Sequence, residues 1–114
     1  MDAVSAAIVT KALDALGLRM TATAANIAHG QMAGYRPQRV RFEDSLRAAA
    51  SGGAGAVQAL TPRVESDARI AAGAEPRLDL ELATASDTAL RYGALVNLLG
   101  REMEIARLGV RGQA

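Results

Sequence analysis

The C-terminal third of the chain carries the pattern that most restricts its fold, an unbroken alternation of three- and four-residue spacings between apolar or small residues. The positions that follow this alternation are Leu82, Ala85, Ala89, Tyr92, Val96, Leu99, Met103, Ala106 and Val110. Such spacing places all of them on one face of an α-helix, with the period of a coiled-coil seam. We therefore predict a C-terminal helix over residues 78–114, with Asp79 as its N-cap and Asp87–Arg91 as a surface ion pair.

The N-terminal segment, residues 1–29, repeats this pattern and predicts a second long helix. Its seam consists of Leu13, Leu16, Met20, Thr23 and Ile27. We expect Gly30 to end the helix as a left-handed C-cap, because glycine adopts that conformation without steric cost. The two seams are the predicted assembly interface, formed by Leu13, Leu16, Met20 and Ile27 in one helix and by Tyr92, Val96, Leu99 and Met103 in the other.

The middle of the chain, residues 30–77, contains the glycines and prolines that interrupt helices. Gly34 can take a positive φ, and Pro37 disfavours helix at the residue before it. The alternation through Val40 and Phe42 predicts a short strand, and weaker signals predict others near Val64 and Ile70.

Two further segments lie in this middle region. Residues 43–50 can form one or two helical turns, with Glu43 and Arg47 as an i,i+4 ion pair. Residues 51–56, Ser-Gly-Gly-Ala-Gly-Ala, have the composition of a flexible linker. The predicted fold is therefore mainly α, with two long terminal helices of coiled-coil spacing, joined by an irregular or short-β middle and a flexible Gly-rich linker.

Composition limits the functions that such a chain can perform. Aromatic residues are only 3% of the chain, and the 50% that are hydrophobic include many alanines, so a monomer would have a thin core. The net charge of +1 shows no excess of basic residues of the kind that binds nucleic acid. Cysteine is absent and His29 is the sole histidine, without acids nearby in sequence. We therefore expect no enzyme activity, no metal and no cofactor.

The sequence also gives no reason to expect membrane insertion. Asp2 lies where a secretory signal would carry positive charge, and Lys11 interrupts the apolar stretch that follows. The longest strongly apolar run, residues 93–100, is far shorter than the roughly 20 residues that span a bilayer.

Two segments resemble the rod proteins of the bacterial flagellar basal body. Residues 26–35 read Asn-Ile-Ala-His-Gly-Gln-Met-Ala-Gly-Tyr. This is similar to the N-terminal signature of flagellar axial proteins, typically Asn-(Leu/Ile)-Ala-Asn followed shortly by Thr-Pro-Gly-Tyr. The matching positions are Asn26, Ile27, Ala28, Gly34 and Tyr35. His29 and Met32-Ala33 depart from the signature, which leaves the form of the turn open.

The second segment, residues 89–101, reads Ala-Leu-Arg-Tyr-Gly-Ala-Leu-Val-Asn-Leu-Leu-Gly-Arg. It looks like the proximal rod B branch of that family, in which Leu-(Arg/Lys)-Tyr precedes an apolar helix. Residues 78–81, Leu-Asp-Leu-Glu, resemble the lead into that helix. The resemblance covers both ends of the chain and not its middle.

The resemblance implies a structural subunit of the rod that crosses the periplasm and transmits torque, located in the flagellar basal body. It also implies export by the flagellar type III apparatus. The implied partners are further copies, other rod proteins, the adaptor at the rod base and the MS ring. We expect the arginines near Arg36, Arg39 and Arg41 to face acidic surfaces of neighbours. The alternatives are a proximal rod protein of the C type and a non-flagellar helical-hairpin adaptor.

Overall fold

The protein consists of two long antiparallel helices with a small helical and β layer packed on the first of them. The computed structural model describes residues 1–71 and 74–112. Its elements are α1 (Ala3–His29), β1 (Gln38–Val40), α2 (Glu43–Ala50), α3 (Ala54–Ala59), β2 (Val64–Ser66) and α4 (Leu78–Val110). The mainly helical prediction with two long terminal helices is confirmed. Residues 72–73 of the predicted middle and 113–114 of the predicted C-terminal segment lie outside the described residues.

Helix α1 begins at a side-chain cap and ends in a turn that differs from the prediction. Asp2 accepts a hydrogen bond from the Ser5 backbone N–H at 2.7 Å, as an N-cap does. Gly30 has φ −58° and not a left-handed conformation, so the predicted C-cap is wrong. A glycine is required there because a Cβ would lie 2.7 Å from the Asn26 carbonyl oxygen and 3.1 Å from Cβ of Pro76. The positive φ, +76°, falls at Gly34, as predicted.

Strands β1 and β2 pair antiparallel, with Arg39 opposite Glu65 and Val40 opposite Val64. The strand predicted near Val64 is therefore confirmed. The strand predicted near Ile70 is wrong, because the Ile70 N–H closes a turn on the Asp67 carbonyl oxygen at 3.1 Å.

Helix α2 forms where the sequence predicts it, but its ion pairs differ. Glu43 accepts hydrogen bonds from Arg19 of α1 at 2.8 and 2.9 Å, and Arg47 instead contacts Asp44 at 3.4 Å. The predicted Glu43–Arg47 pair is wrong because a tertiary partner has a better geometry than the local one.

The segment predicted as a flexible linker contains a turn and the start of α3. Gly53 has φ +90° and reverses the chain, and the following residues form the helical turn that carries Val57. The Val57 side chain has no exposed area. A buried valine therefore fixes this glycine-rich segment against α1.

The hydrophobic core lies between α1 and the middle of the chain, not between the two long helices. It comprises Ala7, Ala12, Ala15, Leu16, Ala22, Val40, Phe42, Leu46 and Val57. Among the described residues of α4, the buried side chains are Glu81 and Thr88, and Leu95 packs partly buried at the edge of the core.

Helix α4 starts two residues earlier than the predicted cap allows. Arg77 is its N-cap without a side-chain hydrogen bond, and Asp79 lies in the first turn, where it accepts from Arg77 Nε at 3.1 Å. A carboxylate in the first turn still stabilises the helix through its dipole. The predicted ion pair between Asp87 and Arg91 is confirmed, with Nε and Oδ2 3.1 Å apart.

Candidate assembly surface and its polar anchor

Asn26, near the end of α1, is the centre of a buried hydrogen-bond network. It is 4% exposed, and its Nδ2 donates to the Gln38 carbonyl oxygen at 2.9 Å and to Glu81 Oε2 at 3.0 Å. Its Oδ1 accepts from the Tyr35 hydroxyl at 2.9 Å and from the Gln38 N–H at 2.8 Å. Both amide atoms are thus fully used, which is what a buried asparagine requires.

The network continues through charged groups of β1 and the chain after β2. Glu81 accepts from Arg39 Nη1 at 2.8 Å, and Arg39 Nε lies 3.4 Å from Asp67 Oδ2. Arg69 hydrogen-bonds the same carboxylate and holds the pKa of Asp67 below its ordinary value. Burial and the nearby Glu81 charge raise the pKa of the Tyr35 phenol, so this hydroxyl remains the donor that the network needs.

These side chains, called here the polar anchor, join the end of α1, the turn, β1 and the start of α4. They are Asn26, Tyr35, Gln38, Arg39 and Glu81. Of the signature positions predicted from the sequence, Asn26 and Tyr35 contact each other here, and Gly34 forms the turn between them. Ile27 and Ala28 are exposed. Sequence reasoning missed Gln38 and Glu81, which are unremarkable in their local sequence.

An apolar groove separates the middles of the two long helices. Its volume is about 380 Å³, and it is lined by Leu16, Gly17, Met20, Thr88, Ala89, Tyr92 and Gly93. A Cβ added at Gly17 or Gly93 would meet nothing within 4 Å, so the glycines leave the groove open. The structure thereby brings together three residues of the two predicted seams, Leu16, Met20 and Tyr92.

The rest of the predicted C-terminal seam continues from this groove along the side of α4 that borders its contact with α1. Tyr92, Val96 and Met103 are 43%, 46% and 58% exposed, and Leu99 is partly buried. In α1, Leu13 and Met20 are partly buried and Ile27 is exposed. The apolar stripe Tyr92, Val96 and Met103, called here the outer stripe, is left uncovered by the chain.

A different face of α4 points toward α1. It contains Glu81, Thr88 and Leu95, and Thr88 and Leu95 each precede a residue of the predicted stripe by one position. One residue corresponds to about 100° around a helix. Around the helix, Tyr92 and Met103 lie about 40° and 60° from Thr88, so the stripe flanks the inward face. The opposite side of α4 carries exposed polar residues such as Asn97, Arg101 and Glu104.

The shape of the molecule explains why so much apolar surface is left uncovered. The Cα extents are 61 × 27 × 14 Å, so the body is too thin to enclose a long helix on all sides. Its accessible surface is 7413 Å², whereas a compact monomer of this mass exposes about 5,900 Å². The excess of about 1,500 Å² is roughly twice the 800 Å² that one partner contributes to a standard protein interface.

Within the described ranges, no three His, Asp or Glu side chains are grouped so that they could hold a metal ion. None of the helices described here combines the length and the apolar character that crossing a bilayer requires. The sequence matches no protein-family model and no curated protein.

Proposed function

We propose that this chain is a structural subunit of the bacterial flagellar basal-body rod, of the proximal rod B type. The observation that carries the proposal is the outer stripe of α4, an extended row of large apolar side chains that the chain itself leaves in solvent. Exposed apolar surface of this kind marks a contact with another protein. Helical periodicity of the stripe favours a helix as that partner.

In this proposal the groove and the outer stripe form a coiled-coil-like contact with the long helices of neighbouring subunits. The interface residues are Leu13, Leu16, Met20, Ile27, Tyr92, Val96, Leu99 and Met103. A contact in which the groove of one copy receives the stripe of the next is heterologous, and heterologous contacts that do not close produce a helical filament. A tube built in this way transmits torque through interdigitated side chains that resist shear.

The polar anchor supports the family assignment in a second way. The signature resemblance is to a motif that starts with asparagine and ends in Gly-Tyr, and here Asn26 and Tyr35 are hydrogen-bonded across the turn at 2.9 Å. These positions therefore have a joint structural role, which is to fix the angle at which the chain leaves α1. Met32 and Ala33, which depart from the signature, lie exposed in the turn and outside this contact.

The proposed location is the part of the basal body that crosses the periplasm, reached through the flagellar type III export apparatus. The proposed partners are further copies of this chain, other rod proteins, the adaptor at the rod base and the MS ring. No role for nucleic acid, cofactor or membrane insertion forms part of the proposal.

Deletion of the gene, followed by electron microscopy of isolated basal bodies, tests the function. We expect non-motile cells whose basal bodies lack a rod. Motile cells with complete rods would reject the proposal and favour the helical-hairpin adaptor. If the rod is missing, photocrosslinking from position 96 identifies the neighbouring proteins. Their identity distinguishes a rod protein of the B type from one of the C type.

The interface is tested by a matched pair of substitutions. Val96→Asp places a charge in the outer stripe, where burial without a partner costs several kcal/mol, and we expect loss of swimming with normal protein levels. Asn97→Asp adds the same charge at the next exposed position of α4 and should swim normally. Swimming of the Val96→Asp strain would contradict the interface.

A further inference from the structure

A small cleft beside the polar anchor has an unusual concentration of guanidinium groups. Its volume is about 170 Å³, and it lies between α1, β1 and Thr84 of α4. Four arginines line it, and they are Arg19, Arg39, Arg41 and Arg69. We refer to it as the arginine cleft.

The charges around the arginine cleft do not balance. The four arginines contact three carboxylates, those of Glu43, Asp67 and Glu81, so four positive charges face three negative ones. Arg91 also approaches Glu43, at 3.6 Å, but it has its own partner in Asp87. Among the groups in ion-pair contact at the cleft, positive charges therefore outnumber negative ones by one.

The excess charge belongs to the two outer arginines. Arg19 and Arg39 have short bonds to Glu43 and Glu81 and are mostly buried. Arg41 and Arg69 share the single buried carboxylate of Asp67, and their side chains are 56% and 78% exposed. Arg41 approaches Asp67 only to 3.6 Å, so its N–H groups are free to bind an anion from solvent.

Thr23 adds a hydroxyl donor to the lining of the cleft. It lines the cleft and is 2% exposed, yet no described residue forms a hydrogen bond with its hydroxyl. Thr10, Thr21, Thr84 and Thr88 all donate to the carbonyl oxygen four residues earlier in their helices. No fully buried side-chain oxygen or nitrogen of the described residues lacks a hydrogen-bond partner, so the unpaired Thr23 hydroxyl reaches the open space of the cleft and can donate into it.

We propose that the arginine cleft binds one carboxylate, supplied by an aspartate or glutamate side chain of a neighbouring protein subunit. Arg41 and Arg69 bind the carboxylate with charge-assisted hydrogen bonds, and the Thr23 hydroxyl donates a further one. A single carboxylate neutralises the excess charge of one unit. The volume admits the end of one side chain and no larger element.

A nucleic-acid phosphate has similar chemistry but fits the surroundings less well. A polyanion needs a row of cations along its path, whereas the acids Asp44 and Glu65 are exposed in the adjoining segments. The carboxylate site stands independently of the rod assignment, and only the identity of the neighbour as a rod subunit rests on the proposed function.

The probe for this site is N-acetylglutamate amide, which carries one side-chain carboxylate. Titrated into the full chain, it should produce saturable shifts of the Arg41 and Arg69 Nε–H resonances at millimolar concentration. N-acetylglutamine amide, which lacks the charge, should not. Absence of saturable shifts with the glutamate probe would overturn the proposal, as would tighter binding of a short oligothymidylate through the same resonances.

Variants locate the binding in the cleft. Arg41→Gln/Arg69→Gln should weaken binding of the probe at least tenfold, and the nearly isosteric Thr23→Val should weaken it several-fold. The matched control, Arg101→Gln/Arg107→Gln, removes the same charge from the far part of α4 and should leave the affinity unchanged. Equal weakening in the control would show a general charge effect and overturn the site.

Sedimentation equilibrium of the full chain then distinguishes two sources of the carboxylate. If a second copy supplies it, Arg41→Gln/Arg69→Gln should weaken self-association at least tenfold. If a different protein supplies it, self-association stays at the wild-type level while probe binding is lost. Either result supports the site, and neither depends on whether the rod is present in cells.

Discussion

The two ends of the helix pair are held together in different ways. Where α1 ends and α4 begins, buried and directional hydrogen bonds join Asn26, Tyr35 and Glu81. At the opposite end, the contact between the helices includes one exposed ion pair, in which the Met1 amino group lies 2.9 Å from Glu102 Oε2. Exposed ion pairs contribute little to stability. The anchored end thus fixes the geometry of the pair, whereas the other end leaves apolar side chains of α4 exposed.

The largest effect should come from breaking the anchored end. Asn26→Leu removes four hydrogen bonds and leaves Glu81 and the Gln38 N–H buried with fewer partners. We expect a loss of about 3 kcal/mol in the free energy of unfolding, measured by urea denaturation. Asn97→Leu, the same change at an exposed position of α4, should alter it by less than about 0.5 kcal/mol. Equal losses in both variants would contradict the anchoring role.

Hydrogen exchange compares the two ends within a single helix. In the dilute chain, amides near Thr88, which is buried, should exchange roughly 100-fold more slowly than those near Ile105, which is 63% exposed. Mass spectrometry of peptic fragments measures this ratio. Uniform protection along the whole of α4 would show that the far end is stable without a partner.

The Arg19–Glu43 ion pair lies between the two ends of the helix pair. Hydrogen bonding to Arg19 lowers the pKa of Glu43 from 4.5 to about 2. Because the folded-state pKa is the lower one, this contribution is present above about pH 4.5 and is lost as the pH falls toward 2.

Nearly half of the Glu43 side chain is exposed, so its contribution should be at most about 1 kcal/mol. Glu43→Gln should reduce the slope of stability against pH in this window, measured by denaturation at a series of pH values. Glu104→Gln, on the exposed part of α4, should leave the slope as in the wild type. An unchanged slope in Glu43→Gln would mean that the pair is not maintained in solution.

The smallest effect on the isolated chain should come from the open end. Val96→Asp changes a residue that is 46% exposed and should alter the free energy of unfolding by less than about 0.5 kcal/mol. The same substitution is expected to abolish assembly, so stability and function should separate. A loss of 2 kcal/mol or more in the monomer would show that Val96 belongs to the chain's own core.

The sequence predicts the helices well because each has a long periodic pattern bounded by glycine or proline. It does not predict which face of α4 points inward, because the inward residues Glu81 and Thr88 are polar and leave no hydrophobic signal. The contact between Asn26 and Glu81 spans 55 positions, and nothing local marks it.

The glycine-rich segment was predicted as a linker because turns and linkers share that composition. The feature that distinguishes them is Val57, a single apolar residue whose anchoring role depends on α1 lying beneath it. Of the candidate site, the signature residues and the stripe could be predicted. The sequence also singled out Arg39 and Arg41, but it placed their acidic partners on neighbouring subunits, whereas Arg39 pairs with Asp67 and Glu81 of its own chain through tertiary structure.

The way in which the long helices are joined has a mechanical consequence. Beyond the anchored end, their middles face each other across the apolar groove of Leu16, Met20 and Tyr92, and apolar contacts have no preferred direction. The directional bonds between the two helices are concentrated near Asn26. In the proposed filament, a helix pair fixed at one end only would let one sequence occupy positions of unequal curvature.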